Sequence, residues 1–215
     1  MRVAAYNIQG GRAGIGRVAE VLRATRADVI ALTEVRRAHL TSFARALGMH
    51  ATLGRTYRFR GFGNAILSRE PHRRLKLVRF TRTKGHQPRG MLAARLDPGV
   101  TVVVTHLGLT PDERIRHAKQ LMAELEGVED PVVLGGDLNE QPPGAAVGVL
   151  LGRFRDTFAA VAEPSFTHPA ESPLRRIDYV MVSGLEVSGA AVLPMVASDH
   201  LPVVVDLEVR SARNV

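Results

Sequence analysis

The stretch that most restricts the possible folds is Pro131–Pro142, PVVLGGDLNEQP. Val132, Val133 and Leu134 run into Gly135-Gly136, and polar chemistry begins at once with Asp137, Asn139 and Glu140. An apolar run of this length, bounded by proline and glycine, reads as a buried strand that delivers its last residues to a site. Side chains at i and i+2 of an extended segment point the same way, so Asp137 and Asn139 are expected side by side. A carboxylate beside a neutral amide suits a water molecule: one accepts its proton, the other holds it in line. The other reading of the same residues is a simple turn, since Gly, Asp and Asn are common turn formers. This stretch alone leaves both open.

Similar runs recur along the chain. Arg2–Ile8 is strand-like and ends at Asn7; Asp28–Val35 is a second apolar strand with Glu34 at its end. Between them Ile15, Val18, Val21 and Leu22 have helical spacing within Gly14–Arg26. Phe43–Gly48 reads as a short helix, and Gly63–Ser68 and Gly90–Leu96 as short strands. The order then begins again. Val100–His106 is a strand with a polar end, and Thr110-Pro111-Asp112-Glu113 reads as a helix start: Thr110 N-cap, Pro111 at N1, Glu113 closing a capping box. The stripe Ile115, Ala118, Leu121, Met122, Leu125 runs to Gly127, and the strand ending at Asp137 follows. Ile177–Val182 and Leu201–Val209 are further strands, with Val192–Leu193 as a short addition.

The two halves share one order of elements, in which Asn7 matches His106 and Glu34 matches Asp137. Two such units would pack sheet on sheet with helices outside, so that strand ends meet at one rim. The 215 residues suit one domain, residues 1–210, with 211–215 as a tail. No stretch is long and apolar enough to span a bilayer, and no secretory apolar segment follows Met1. The absence of cysteine excludes disulfides and thiolate metal sites, and the chain reads as cytoplasmic and monomeric. Net charge is +8, and 26 of the 29 basic residues are arginine. Eleven of them fall within Arg55–Arg89 (Arg55, Arg58, Arg60, Arg69, Arg73, Arg74, Lys76, Arg79, Arg82, Lys84, Arg89) against one acid, Glu70. That clustering points to a phosphate-facing surface and a nucleic acid or other phosphodiester as partner.

Polar residues also stand at the heads of the late strands: Asp178 in Arg176-Ile177-Asp178-Tyr179, and Ser198-Asp199-His200 before Leu201. With Tyr6-Asn7-Ile8, Thr33-Glu34-Val35, Gly63-Asn64-Ala65-Ile66-Leu67-Ser68, Thr105-His106-Leu107 and Gly136-Asp137-Leu138-Asn139, the set resembles the endonuclease/exonuclease/phosphatase superfamily of metal-dependent phosphoesterases. The resemblance runs from residue 3 to about residue 207. It implies a four-layer α/β sandwich: two mainly antiparallel sheets face to face, helices outside.

It further implies Mg²⁺ as cofactor, with Mn²⁺ as the alternative, held by Asn7, Glu34 and Asp199. Asp137 would act as base for a water oriented by Asn139, His200 would pair with Asp178, and His106 would donate to the phosphate or leaving oxygen. Asn64 and Arg89 resemble substrate phosphate contacts. His39, His50, His72, His86, His117 and His168 read as ordinary histidines. The Thr105-His106-Leu107-Gly108 segment and the lack of Trp set the chain apart from members that incise DNA at abasic sites. It looks more like the branch with nonspecific nucleases, sphingomyelinase-like lipases and inositol-phosphate phosphatases. The expected function is therefore phosphoester hydrolysis by in-line attack of water, with nucleic acid as substrate. The alternatives are a phospholipid or small phosphorylated molecule, and a catalytically inactive anion-binding module.

Overall fold

The computed structural model describes residues 1–56, 62–97, 99–160 and 166–208. Its elements run β1 (Arg2–Asn7), α1 (Ile15–Ala24), β2 (Val29–Arg36), α2 (Arg37–Leu47), β3 (His50–Arg55), β4 (Phe62–Ser68), β5 (His72–Arg79) and β6 (Gly90–Leu96). They continue with β7 (Thr101–His106), α3 (Pro111–Glu124), β8 (Val132–Asp137), α4 (Ala145–Leu151), β9 (Arg155–Asp156), β10 (Asp178–Ser183), β11 (Glu186–Val192) and β12 (Val203–Glu208).

Among the described residues, twelve strands form two six-stranded sheets, ordered β11-β12-β1-β2-β4-β3 and β5-β6-β7-β8-β10-β9. Each sheet holds one parallel pair, β1/β2 in the first and β7/β8 in the second, flanked by antiparallel partners. Parallel neighbours need a crossover, and α1 and α3 supply it. The alternation of side chains explains the unbroken apolar runs. Val3, Ala5, Val29, Ala31, Val102, Val104, Val133 and Val180 fill the space between the sheets. The residues between them, such as Ala4, Tyr6, Ile30 and Leu32, pack under α1 and α2, and Val103, Leu134 and Tyr179 pack under α3 and α4. The architecture is a four-layer α/β sandwich.

Small side chains bring the central strands close. A methyl added at Gly135 would sit 2.8 Å from Ala31 Cβ across the interface, so β8 approaches β2 at the end that bears the polar residues.

The structure adds elements that the sequence pattern did not separate. β3 and β5 are edge strands with mostly exposed or half-exposed side chains, and they leave no apolar run to read. β5 (HRRLKLVR) carries the basic residues that discourage pairing of a free sheet edge. α4 is short and runs unbroken through Gly148; α2 begins at Arg37, well before Phe43. The strand expected at Val192–Leu193 is the end of β11, whose exposed Glu186 and Ser188 hide its pattern. Thr110 caps α3 by accepting from the Glu113 N–H at 3.4 Å, but the Glu113 carboxylate turns to His86 (2.7 Å) and leaves the capping box half made. Arg58, Arg60, Val209 and the 211–215 tail lie outside the described residues.

Candidate active site

The parallel pairs bring their carboxyl ends to the same rim, where open α/β sheets place ligands. Asn7 ends β1, His106 ends β7 and Asp137 ends β8; in register, His106 lies opposite Asp137, and Asp178 at the head of β10 lies opposite Asp137 on its other side. Two local backbone features sharpen this placement. The β2/β4 register shifts between Leu32 and Val35, and Glu34 within that bulge has φ +57°. A bulge of this kind re-aims a side chain, here toward the cleft. Gly136 has φ +142°, and a Cβ there would run into the Thr105 carbonyl, so only glycine lets β8 pass this close to β7.

The result is a cleft of about 700 Å³. Its walls include Asn7, Glu34, Arg89, His106, Asp137, Asn139, Asp199 and His200, together with His86, Gln87, His168 and Arg175. A smaller recess of about 130 Å³ adjoins it, bounded by Glu34, Thr56, Asn64, Arg89 and His106. Asp178 lies one layer deeper, 1% exposed, beneath His200.

Asp137 is the hub. Its Oδ2 accepts from Asn7 Nδ2 at 2.9 Å and lies 3.2 Å from His106 Nε2; its Oδ1 accepts the Asn139 backbone N–H at 2.9 Å. Burial pushes its carboxyl up, but His106, His200 and Asn7 outweigh burial and hold it well below the usual carboxylate range. The geometry also fixes the His106 tautomer. A guanidinium only donates, so Arg89 Nη1 at 3.0 Å donates to His106 Nδ1, and the ring proton sits on Nε2 toward Asp137. His200 is arranged differently. Its Nδ1 is 2.8 Å from Asp178 Oδ2, while Nε2 faces the gap between Asp137 (3.8 Å) and Asp199 (3.9 Å). Burial disfavours its charge, but Asp178, Asp137 and Asp199 win and raise it to about 9. An imidazolium at neutral pH therefore presents a proton to the cleft.

A hard divalent cation fits the first-sheet side of the cleft. Glu34 is half-buried, and its carboxylate has no hydrogen-bond or ion-pair partner among the described residues. Gln9 ties the other two oxygen donors together: its backbone N–H donates to Asn7 Oδ1 at 3.0 Å and its Nε2 to Asp199 Oδ2 at 2.9 Å. Mg²⁺ takes a few such oxygens and keeps several waters. Two tighter acid–imidazole groups also exist, Asp137/Asp178/His200 and His168/Asp199/His200, each with ligand atoms within 4.8 Å of one another. Both include His200, whose Nδ1 already bonds Asp178, so the oxygen set is the better match for Mg²⁺.

Three expectations change. Asn139 does not continue an extended strand beside Asp137. It has φ +53°, and its N–H bonds back to Asp137, so the turn reading holds as well as the site reading. Asn64 is not free to donate to a phosphate. Its amide hydrogens go to Gly90 O (2.8 Å) and Val104 O (3.3 Å), which clasps β4 to the second sheet. His106 does not stand free in the cleft: its Nδ1 accepts from Arg89 and its Nε2 lies 3.2 Å from Asp137 Oδ2. Pattern reading also passed over several residues. His168 lies on the cleft with its ring 4.8 Å from that of His200; burial, then His200 and Arg175, lowers its pKa. His86 also lines the cleft, so neither it nor His168 is the ordinary histidine expected from the sequence, and Gln9 was missed; all three sit on loops or short turns where no periodicity marks a residue.

The fold and this rim define a protein of the phosphoester-hydrolysing α/β sandwich class. A family model described as the Endonuclease/Exonuclease/phosphatase family matches residues 4–200, and the chain belongs to that family of phosphoesterases. Among solved structures it resembles the mannosyl-6-phosphatase Bt3783 of Bacteroides thetaiotaomicron, with 19% identity, TM-score 0.82, and coverage of 97% of this chain and 100% of that one. It is also similar to humanized D. rerio TDP2, with 16% identity, TM-score 0.78, and coverage of 97% and 99%. An endonuclease/exonuclease/phosphatase protein from Beutenbergia cavernae is 23% identical, with TM-score 0.69 and coverage of 99% of this chain and 72% of that one. Comparison with curated protein sequences finds no match. Among the described residues, no helix is long and apolar enough to cross a membrane.

Proposed function

We propose that this chain is a Mg²⁺-dependent phosphodiesterase that cleaves nucleic acid by in-line attack of water. The observation that carries the reading is the single rim on which a carboxylate without a partner among the described residues (Glu34), a buried ionised acid (Asp137), a buried guanidinium (Arg89) and an imidazolium (His200) face one cleft. A phosphodiester repels anionic nucleophiles, so its hydrolysis needs a cation, a held water and donors for the phosphoryl oxygens.

Arg89 keeps N–H groups beyond the one given to His106 and aims them at the phosphate. His200 Nε2–H donates to a second phosphoryl oxygen. Asn139 uses its amide N–H₂ on Leu107 O at 3.1 Å, so its Oδ1 is left to accept from the attacking water. Asp137 is a weak base because its pKa is depressed, which suits a late proton transfer: the water becomes acidic only as its bond to phosphorus forms. His106 holds Arg89 and Asp137 at fixed spacing. Bound at Glu34, Asn7 and Asp199, Mg²⁺ would act as a Lewis acid toward the phosphoryl and leaving oxygens.

The test is a screen with Mg²⁺ and with Mn²⁺ against plasmid, oligonucleotides, phospholipids and phosphosugars. The expected result is metal-dependent nucleic-acid cleavage that disappears in Asp137→Ala and His200→Ala. Activity that survives either substitution overturns the reading. A second reading, a phosphatase of small phosphorylated molecules, draws on the full-length likeness to a mannosyl-6-phosphatase and on an aromatic content of 5%, which leaves few side chains for base stacking. Phosphate release from a phosphosugar without nicking of plasmid would favour it.

A further inference from the structure

The described residues of the basic run Arg55–Arg89 do not form one surface. Lys76 turns to Glu124 at 2.9 Å, Arg69 lies 3.6 Å from Asp28, and Arg89 faces the cleft. Arg55, Arg74 and Arg79 are joined instead by Arg37 and Arg45 from α2, a helix outside that run. The five arginines line a groove of about 750 Å³ where the edge strands β3 and β5 of the two sheets meet. Among the described residues, no Asp or Glu lines it, and none of the five is ion-paired with a carboxylate. Among the described residues, their guanidinium groups make hydrogen bonds only from Arg79, whose Nε (3.3 Å) and Nη2 (3.2 Å) both donate to the Arg55 carbonyl.

The groove leads to the cleft. Arg55 precedes Thr56, which bounds the recess beside Glu34 and Arg89, and Arg79 pairs in register with Gly90, the residue after Arg89. From Arg55 back to Ala51 the groove follows β3 for roughly 13 Å at the usual rise per strand residue. That length spans about two or three consecutive phosphates of an extended single strand.

We propose that this groove is a binding track for the phosphate backbone of a nucleic acid whose scissile phosphate lies in the cleft. The assignment rests on the phosphodiesterase reading above and extends it with a second, non-catalytic contact region. The chemistry favours a nucleic acid over a membrane. All five arginines are exposed, whereas the larger apolar side chains, Leu40, Leu53 and Leu77, are buried or half-buried on the floor. A concave wall of guanidinium forks grips phosphate diesters, while a bilayer surface calls for protruding apolar groups. Contacts to backbone alone also suit a chain without Trp.

The test uses the full chain carrying Asp137→Asn, so that nothing is cleaved, and a labelled single-stranded oligonucleotide followed by fluorescence anisotropy over a salt series. Adding Arg45→Glu and Arg74→Glu is expected to weaken binding at least tenfold. The slope of log affinity against log salt should also fall by about 0.7 for each phosphate that the protein no longer neutralises. In the active chain, the same pair should lower the ratio of kcat/KM on oligonucleotide to kcat/KM on bis(para-nitrophenyl) phosphate by a similar factor. Melting curves check folding, and Arg37→Ala with Arg45→Ala gives a milder second variant. Unchanged affinity and slope overturn the track. So does a wild-type chain that binds phosphatidylglycerol vesicles through these arginines and ignores the oligonucleotide. Failure to hydrolyse either substrate would count against the phosphodiesterase reading, while the anisotropy still reports on the groove.

Discussion

The two sheets have the same topology and do different work at the rim. In each, a parallel pair sits between antiparallel partners, and three equivalent positions come to this rim: Asn7, Glu34 and Asn64 on the first sheet; His106, Asp137 and, one layer below the cleft, Asp178 on the second. The first sheet offers oxygen donors, with Glu34 unpartnered among the described residues. The second offers an acid–imidazole network in which almost every polar atom is engaged. Equivalent placement therefore brings groups to one edge, but the residue at each place decides whether the edge holds a cation or moves a proton.

Substitutions can break this division of labour. The largest effect belongs to the second sheet: Asp137→Ala should reduce kcat on a phosphodiester on the order of 10⁴-fold, measured under saturating Mg²⁺. Comparable loss in Glu34→Ala with no change in metal response would erase the distinction. Next, Asp178→Asn should lower kcat by about 10²-fold while leaving substrate affinity nearly intact, because it removes the partner that orients and charges His200 without touching the cleft. The first sheet is probed by metal binding. Saturating Mg²⁺ at a hundred times its dissociation constant stabilises a folded protein by about 2.7 kcal/mol. The thermal shift should vanish in Glu34→Gln and persist in His106→Ala.

Smaller effects separate structure from chemistry. Asn64→Ala should cost about 1–2 kcal/mol of stability in urea titration, since it leaves the Gly90 and Val104 carbonyls without their clasp. Finally, burial pushes Glu113 up, but the bonds from His86 and Thr83 outweigh it and leave its carboxyl below the ordinary value. A depressed acid contributes stability above its unfolded pKa, and that contribution is lost as pH falls through the folded value. Glu113→Gln should therefore melt with less dependence on pH across the acidic range below about 4.5. A melting profile as steep as that of the unaltered chain would show that the pair is idle.

The architecture was largely legible before any coordinates. Strands buried on both faces, such as β1, β2, β7 and β8, must be apolar throughout, and a polar residue that closes such a run stands out. Edge elements were not legible. In β3 and β5 only part of the side chains face the interior, and the exposed arginines dilute the signal that marks a strand. The candidate site divides the same way. Residues at strand ends, from Asn7 to His200, were named from pattern and all lie on the cleft or directly beneath it. His168, Gln9 and His86 were not, because a loop residue reaches the site through the path of the chain rather than through a repeat.

Periodicity is a property of a short segment, so the amino-acid sequence by itself determined the order of the central strands along the chain, their burial and the polar group that closes each. Hydrogen-bond partners are chosen across distances such as the 130 residues between Asn7 and Asp137. Only the packed sheets decide that Arg89 takes the Nδ1 of His106, that Asn64 joins two sheets, or that arginines of α2 complete a groove begun on β3 and β5. Local patterning selects which groups arrive at the rim; the tertiary structure decides which of them still has a free hydrogen or lone pair once there.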